Sequence, residues 1–199
     1  MPSIRKTLAG VVGAGVAIAL GVFIPAEESG RKVEATIEPT SGALQVRHIS
    51  GHQYLRAYLD VAGVATACDG LTRGADGRAI RPGQTFTEAQ CAELLEAALV
   101  THAEGVMACS PGLALSADPA AERRREGPRF AAVSLAFNIG VHGYCGSTAR
   151  ARFNAGAWTA GCDALLSWNK ARIRGVLRPV AGLTARRQRE RRICLHGLS

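Results

Sequence analysis

The sequence predicts a mainly α fold of the α+β class: a bundle of helices preceded by a small β-hairpin lobe. Three observations carry that expectation. Apolar residues recur at helical spacing in several segments after Thr85. Between Val61 and Thr85 the chain is short-stranded in character, with turns at GADG (74–77) and RPG (81–83). Finally, a chain of 199 residues that is 47% hydrophobic and only 20% charged builds an apolar core rather than staying disordered.

At the N-terminus, Arg5 and Lys6 precede seventeen uncharged residues, 8–24, about half of them alanine or glycine. Such a run stands at the lower limit for a membrane-spanning helix and above the usual signal-peptide core. The positive flank keeps the N-terminus in the cytoplasm and sends the rest outward. Residues 1–24 are therefore expected to form a signal or signal-anchor segment. Residues 25–42 (PAEESGRKVEATIEPTSG), polar and punctuated by Pro and Gly, read as a linker. The body, 43–199, is expected to be exported, either tethered to the inner membrane or free in the periplasm.

The body opens with LQVRHISGHQYLRAYLD (44–60). Its apolar residues Leu44, Val46, Ile49, Tyr54, Leu55 and Tyr58 make an imperfect helical pattern weakened by Gly51. After the β-region, TFTEAQCAELLEAALVTHAEGVMAC (85–109) predicts a helix capped by Thr87. SADPAAERRREG (116–127) reads as an exposed, charged connection, and PRFAAVSLAFNIG (128–140) as a central helix buried almost all round. GST (146–148) supplies another cap, and WTAGCDALLSW (158–168) another amphipathic helix with Trp158 and Trp168 in the core. Thr184 is expected to cap a last helix in which Arg186 and Glu190 sit one turn apart, with Gly197 as its stop.

A net charge of +8 and a pI near 9.7 favour a polyanionic partner surface. No aromatic–basic motif points to nucleic acid. The arginine run 186–192 reads first as a solvated helix face. Six cysteines (Cys68, Cys91, Cys109, Cys145, Cys162 and Cys194) show no CxxC or His/Cys cluster, so neither a metal nor a cofactor is expected. In an oxidising compartment an even number suggests three disulfides, among fifteen connectivities. Pairing between neighbours along the chain is expected: Cys68 with Cys91, Cys109 with Cys145, Cys162 with Cys194.

Asp60, Thr66 six residues on, and CDGLTRG (68–74) resemble the hairpin of the phage-type lysozymes, glycoside hydrolase family 24. The resemblance continues through PGQTFTEAQC (82–91), SLAFNIG (134–140), CGST (145–148), FNAG (153–156), LLSWNKA (165–171) and GLTARRQRER (182–191), and covers residues 44–196. The weakly apolar N-terminus is similar to that of the family's signal-anchor-release endolysins, which are held in the inner membrane and later escape into the periplasm. The resemblance implies a lysozyme-like bundle with a cleft between lobes. It implies cleavage of the β-1,4 bond between N-acetylmuramic acid and N-acetylglucosamine in peptidoglycan, leading to host-cell lysis. Peptidoglycan and the inner membrane are the implied partners, and a monomer the implied state. In the family's scheme a glutamate protonates the leaving oxygen while an aspartate and a threonine manage charge and water on the other face. Asp60 takes the aspartate role, Thr66 the threonine role, and Phe137 and Asn138 fall where the family lines its sugar cleft.

The glutamate is absent from its place. Nine residues before Asp60 the family has an EG pair; this chain has Gly51 and His52. The family's CYGHT is also CDGLT here, with Leu71 for a polar residue. His52 and Asp69 are the nearest substitutes, and Glu27, Glu28, Glu34 and Glu38 lie upstream on a segment able to fold back over the cleft. Two functions remain compatible with this pattern: a peptidoglycan-degrading endolysin, or a catalytically dead relative that binds glycan or a partner through the same cleft.

Overall fold

A computed structural model describes residues 6–60 and 62–198. It contains two compact units, Met1–Thr101 and His102–Ser199, with the boundary inside a long helix, α3 (Glu88–Cys109). Arg5 of the positive flank lies outside the described residues.

In the first unit, residues 8–24 are not one rod. Thr7 caps α1 (Leu8–Val12), its Oγ1 accepting from Gly10 N at 3.2 Å. Gly13, at φ +86°, ends α1 and starts α2 (Ala14–Glu28). Val16, Ala17, Leu20, Gly21, Ile24 and Pro25 recur at helical spacing and form the buried stripe of α2. Burying Leu20 and Ile24 stabilises the unit by about 1.5–3 kcal/mol each. No described helix is long and apolar enough to cross a membrane.

The linker expected at 25–42 is instead folded. It comprises the last turn of α2, strand β1 (Lys32–Ile37) and the turn into β2 (Leu44–Ser50). The two strands pair antiparallel, with Val33 opposite His48 and Ile37 opposite Leu44. The helical reading of 44–58 fails for the same reason: Leu44 and Val46 are buried while Gln45 and Arg47 are exposed, a period of two. This hairpin lies close against α2. A β-carbon on Gly21 would stand 3.0 Å from Leu44 Cδ1 and 3.1 Å from Ala35 Cβ, so glycine lets the two elements approach closely there. Buried Glu96 of α3 accepts from Leu8 N (3.3 Å) and Leu44 N (2.9 Å), tying the start of α1 to the start of β2. A second hairpin follows, β3 (Tyr54–Leu59) with β4 (Ala65–Cys68), and Tyr58 faces Thr66 across it. Helix α3 starts as expected: Thr87 Oγ1 accepts from Gln90 N (3.1 Å) and Gln90 Oε1 from Thr87 N (2.8 Å), a reciprocal cap.

The second unit is helical apart from one hairpin. The charged stretch expected as a connection is the first half of α4 (Pro119–Ile139). Asp118 caps it through Oδ2, 2.8 Å from Ala121 N, and Pro119 occupies the first turn, where its missing N–H costs nothing. Pro128 therefore sits inside a helix rather than at its start, in the buried run 127–136. Short helices α5 (Val141–Cys145), α6 (Thr148–Asn154, capped by Ser147 as expected) and α7 (Trp158–Ala164) follow. Trp158 and Trp168 are half-buried rather than core. Strands β5 (Lys170–Ile173) and β6 (Val176–Pro179) form an exposed hairpin in a stretch to which the sequence reading assigned no element; Arg174 (φ +49°) and Gly175 (φ +81°) make its turn. The last helix, α8 (Ala181–Leu195), begins three residues before Thr184, whose hydroxyl donates back to Val180 O at 3.0 Å instead of capping. Its arginine run is not simply a solvated face. Arg186 and Arg187 are buried and both reach Glu190 Oε1, at 3.2 and 2.9 Å, while Ser134 Oγ of α4 donates to the same oxygen at 2.7 Å.

All three expected disulfides form: Cys68–Cys91, Cys109–Cys145 and Cys162–Cys194. Each lies within one unit.

Candidate active site

The β3–β4 hairpin and the C-terminal end of α2 build the site. Asp60 occupies the hairpin corner, where its Oδ1 accepts from Ala62 N (2.9 Å) and Val64 N (2.8 Å). The turn-capping role open to any Asp is thus present, and it fixes the carboxylate by one oxygen while leaving the lone pairs of the other for chemistry. Thr66 is buried on β4; its hydroxyl donates to Val64 O at 3.1 Å and keeps its acceptor lone pairs. Tyr58 lies opposite Thr66 and is 39% exposed, enough to meet a ligand. Its ring is 4.8 Å from that of Tyr54, which in turn meets His52 edge-on at 4.4 Å. Burial raises the Tyr58 pKa first, the neighbouring Tyr54 next, and the negative fields of Asp60 and Glu28 add to the rise, so both carboxylates act on one phenol.

Gly51 brings no carboxyl to the site. It joins β2 to β3 at φ +97°, and a β-carbon there would stand 2.8 Å from the Cα of Arg31. An intact hairpin, β1–β2, stands between α2 and β3. Glu28 lies before that hairpin, as the last residue of α2, half-buried and beside the turn after β4. A β-carbon on Gly70 would be 3.2 Å from Glu28 Oε2. Of the upstream glutamates, Glu34 pairs with Arg47 on the exposed face of the first hairpin, and Glu38 caps its turn. The Ser41 and Thr40 hydrogen bonds hold the Glu38 carboxyl down at about 2. Neither stands at the β3–β4 turn.

The two other substitutes are otherwise employed. Asp69 is fully buried and bidentate to Arg31, 2.7 Å from both Nε and Nη2, with Ser29 Oγ 2.9 Å from its Oδ1. His52 is exposed and packs on Tyr54. Leu71, in place of a polar residue, is buried at 7% exposure, and Ala67 and Leu71 exchange two backbone hydrogen bonds of 2.9 Å that close the loop over 68–70. In the second unit, Phe137 and Asn138 are half-buried near the end of α4. The Phe137 ring is 5.0 Å from that of His102, and Asn138 Oδ1 accepts from Arg187 Nη2 at 3.3 Å. Among the described residues no group of His, Cys, Asp and Glu converges to hold a metal ion.

A glutamate at a helix end beside an Asp/Thr-bearing hairpin is a two-carboxylate arrangement suited to glycoside chemistry. The family model for phage lysozyme matches residues 50–190. The chain belongs to the phage lysozyme family. Its function is that of the family's peptidoglycan-degrading endolysins. It is 31% identical over 196 residues to the SAR-endolysin of Enterobacteria phage P21, covering 98% of each chain. It is 30% identical over 157 residues to the endolysin of Salmonella phage P22, covering 78% of this chain and 96% of that one. Among solved structures, the endolysin from Escherichia coli O157:H7 phage FAHEc1 superposes with a TM-score of 0.61 at 28% identity, over 72% of this chain and 84% of that one. The family match begins at residue 50, the last residue of β2, so Glu28 of this phage lysozyme stands outside the matched span.

Proposed function

We propose that this phage lysozyme hydrolyses the β-1,4 bond between N-acetylmuramic acid and N-acetylglucosamine with Glu28 as the general acid. Glu28 protonates the leaving oxygen, Asp60 supports charge or water on the opposite side of the bond, and Thr66 holds that water through its hydroxyl. Phe137 and Asn138 take the sugar-lining role. The single observation that supports this reading is the position of Glu28 beside Gly70, in electrostatic reach of the phenol that Asp60 also reaches. A catalytically dead relative needs a lost acid, and the glutamate is displaced in sequence rather than lost.

Glu28→Gln and Asp60→Asn, assayed on purified peptidoglycan, should each lower turnover by about 10²–10⁴-fold with the fold intact by circular dichroism. Full activity of Glu28→Gln would remove Glu28 from the mechanism.

Residues 8–24 serve, in this reading, first as an export and anchoring segment and then as the core of the first unit. Its apolar stripe suits either environment, and Glu28 reaches the hairpin only once α2 is packed in the protein. A periplasm-dependent reporter fused after Ser199 should be active; a reporter active only in the cytoplasm would overturn the export route.

A further inference from the structure

We propose that Asp69, Arg31 and Ser29 form a buried clamp that positions Glu28, which makes Asp69 and Arg31 positioning residues for the acid. The inference rests on the assignment of Glu28 above. Helix α2 ends at Glu28; Ser29 is its C-cap, Gly30 (φ +71°) turns the chain, and Arg31 leads into β1. A glutamate on a terminal helical residue is prone to fraying, because the last carbonyls of a helix lack intrahelical partners. Here the residues directly after it are fastened to the opposite side of the site. Arg31 grips Asp69 with two parallel bonds of 2.7 Å, and Ser29 Oγ lies 2.9 Å from both Asp69 Oδ1 and the Pro25 carbonyl, sharing its hydrogen between them.

The far side of the clamp is rigid. Asp69 lies between Cys68 (φ +55°) and Gly70 (φ +78°) in the loop closed by the Ala67–Leu71 hydrogen bonds, and Cys68 is bonded to Cys91 of α3. Asp69 is the neighbour of Gly70, and Gly70 is the residue that Glu28 faces. The clamp therefore joins the two backbone segments whose separation sets the position of the acid.

Energetics decide what this pair does. A buried ion pair contributes little net stability, because desolvation of both groups cancels most of their attraction. What a bidentate guanidinium–carboxylate pair supplies is direction, since two parallel bonds fix distance and angle together. Asp69 also cannot serve as the proton donor: both its oxygens are engaged and its side chain is 0% exposed. A displacement of about 1 Å in a reacting group can cost about 10²-fold in rate.

Steady-state kinetics on soluble, uncrosslinked peptidoglycan strands, with the full chain, provides the test. Arg31→Lys keeps the charge but replaces the two-pronged contact by one point of attachment. It should lower kcat about tenfold while KM changes less than about twofold. Asp69→Asn should lower both kcat and melting temperature. The double variant Arg31→Met/Asp69→Leu substitutes apolar packing for the pair and should recover the melting temperature but not kcat. Recovery of kcat together with melting temperature would show a merely structural role, and parent-level kcat in Arg31→Lys would overturn the clamp outright. Glu28→Gln separates the two readings. If it is inactive while the clamp variants keep parent kcat, only the clamp is wrong; if it is active, the assignment of the acid is wrong.

Discussion

Gly70 and Glu28 are in close contact: a β-carbon on residue 70 would stand 3.2 Å from Glu28 Oε2 and 3.6 Å from Glu28 Cβ. Gly70 also holds φ +78°, a conformation L side chains rarely adopt. Glycine is therefore favoured at this position twice, by the turn and by the nearness of the carboxylate. Gly70→Ala should lower stability by about 1–2 kcal/mol, and peptidoglycan turnover at least tenfold, as the glutamate is pushed aside. Parent-like turnover in the folded variant would mean that Glu28 works from a different position.

Restoring a glutamate at the family's usual spacing should fail. Gly51→Glu forces a side chain onto φ +97° with its Cβ 2.8 Å from the Arg31 backbone. Strain and overlap together should destabilise the protein by about 2–4 kcal/mol, with no gain in lysis. Denaturant unfolding and a lytic assay decide it; a rise in activity would restore Gly51 as the vacant acid position.

The disulfide next to the site should matter more for catalysis than its distance from the bond suggests. Cys68 and Cys91 are separated by 23 residues, and removing their bond in Cys68→Ser/Cys91→Ser should cost about 3 kcal/mol in the chain-entropy account. Because Cys68 adjoins Asp69, kcat should fall with it at temperatures where the variant stays folded. Cys162→Ser/Cys194→Ser should match the loss of stability with a smaller loss of kcat. Equal kinetic effects from both pairs would argue against a local influence.

In the second unit, Glu122 should carry an acid-sensitive share of stability. The hydrogen bond from buried Arg129 is the main reason its carboxyl is held below the usual carboxylate value. A depressed folded pKa gives stability that is present above the unfolded value, near pH 4.3, and is lost as pH falls through the folded one. Glu122→Gln should cost about 1–3 kcal/mol at pH 7, with the gap to the parent narrowing below about pH 4. Chemical denaturation from pH 7 to pH 3 measures this; a constant gap would show that ionisation of Glu122 contributes nothing.

Local chemistry was legible in the chain itself. The reciprocal cap of Thr87 and Gln90, the Ser147 cap and the Asp60 corner each depend on residues within a few positions of one another. The pairing of neighbouring cysteines was legible too, because neighbours along the chain close short loops at the smallest entropic cost. Motif spacing carried the family, whose model matches residues 50–190.

What failed to show in sequence was decided by contacts between distant segments. Residues 25–42 look like a linker because one face of β1 is solvated, yet Val33 on its other face is buried. Arg186 and Arg187 look like a wet surface until Glu190 and Ser134 compensate their burial. Asp69 looks like a turn carboxylate or a spare acid until Arg31, 38 residues away, takes both its oxygens. Sequence by itself marked Asp60 and Thr66 through their resemblance to the family's hairpin, and tertiary structure alone decided that β3 is a strand and that Glu28 lies beside the turn after β4. The physical reason is that nearness in space depends on packing between segments far apart in sequence. The β1–β2 hairpin lengthens the chain between Glu28 and Asp60, while the packing of α2 returns Glu28 to the turn after β4.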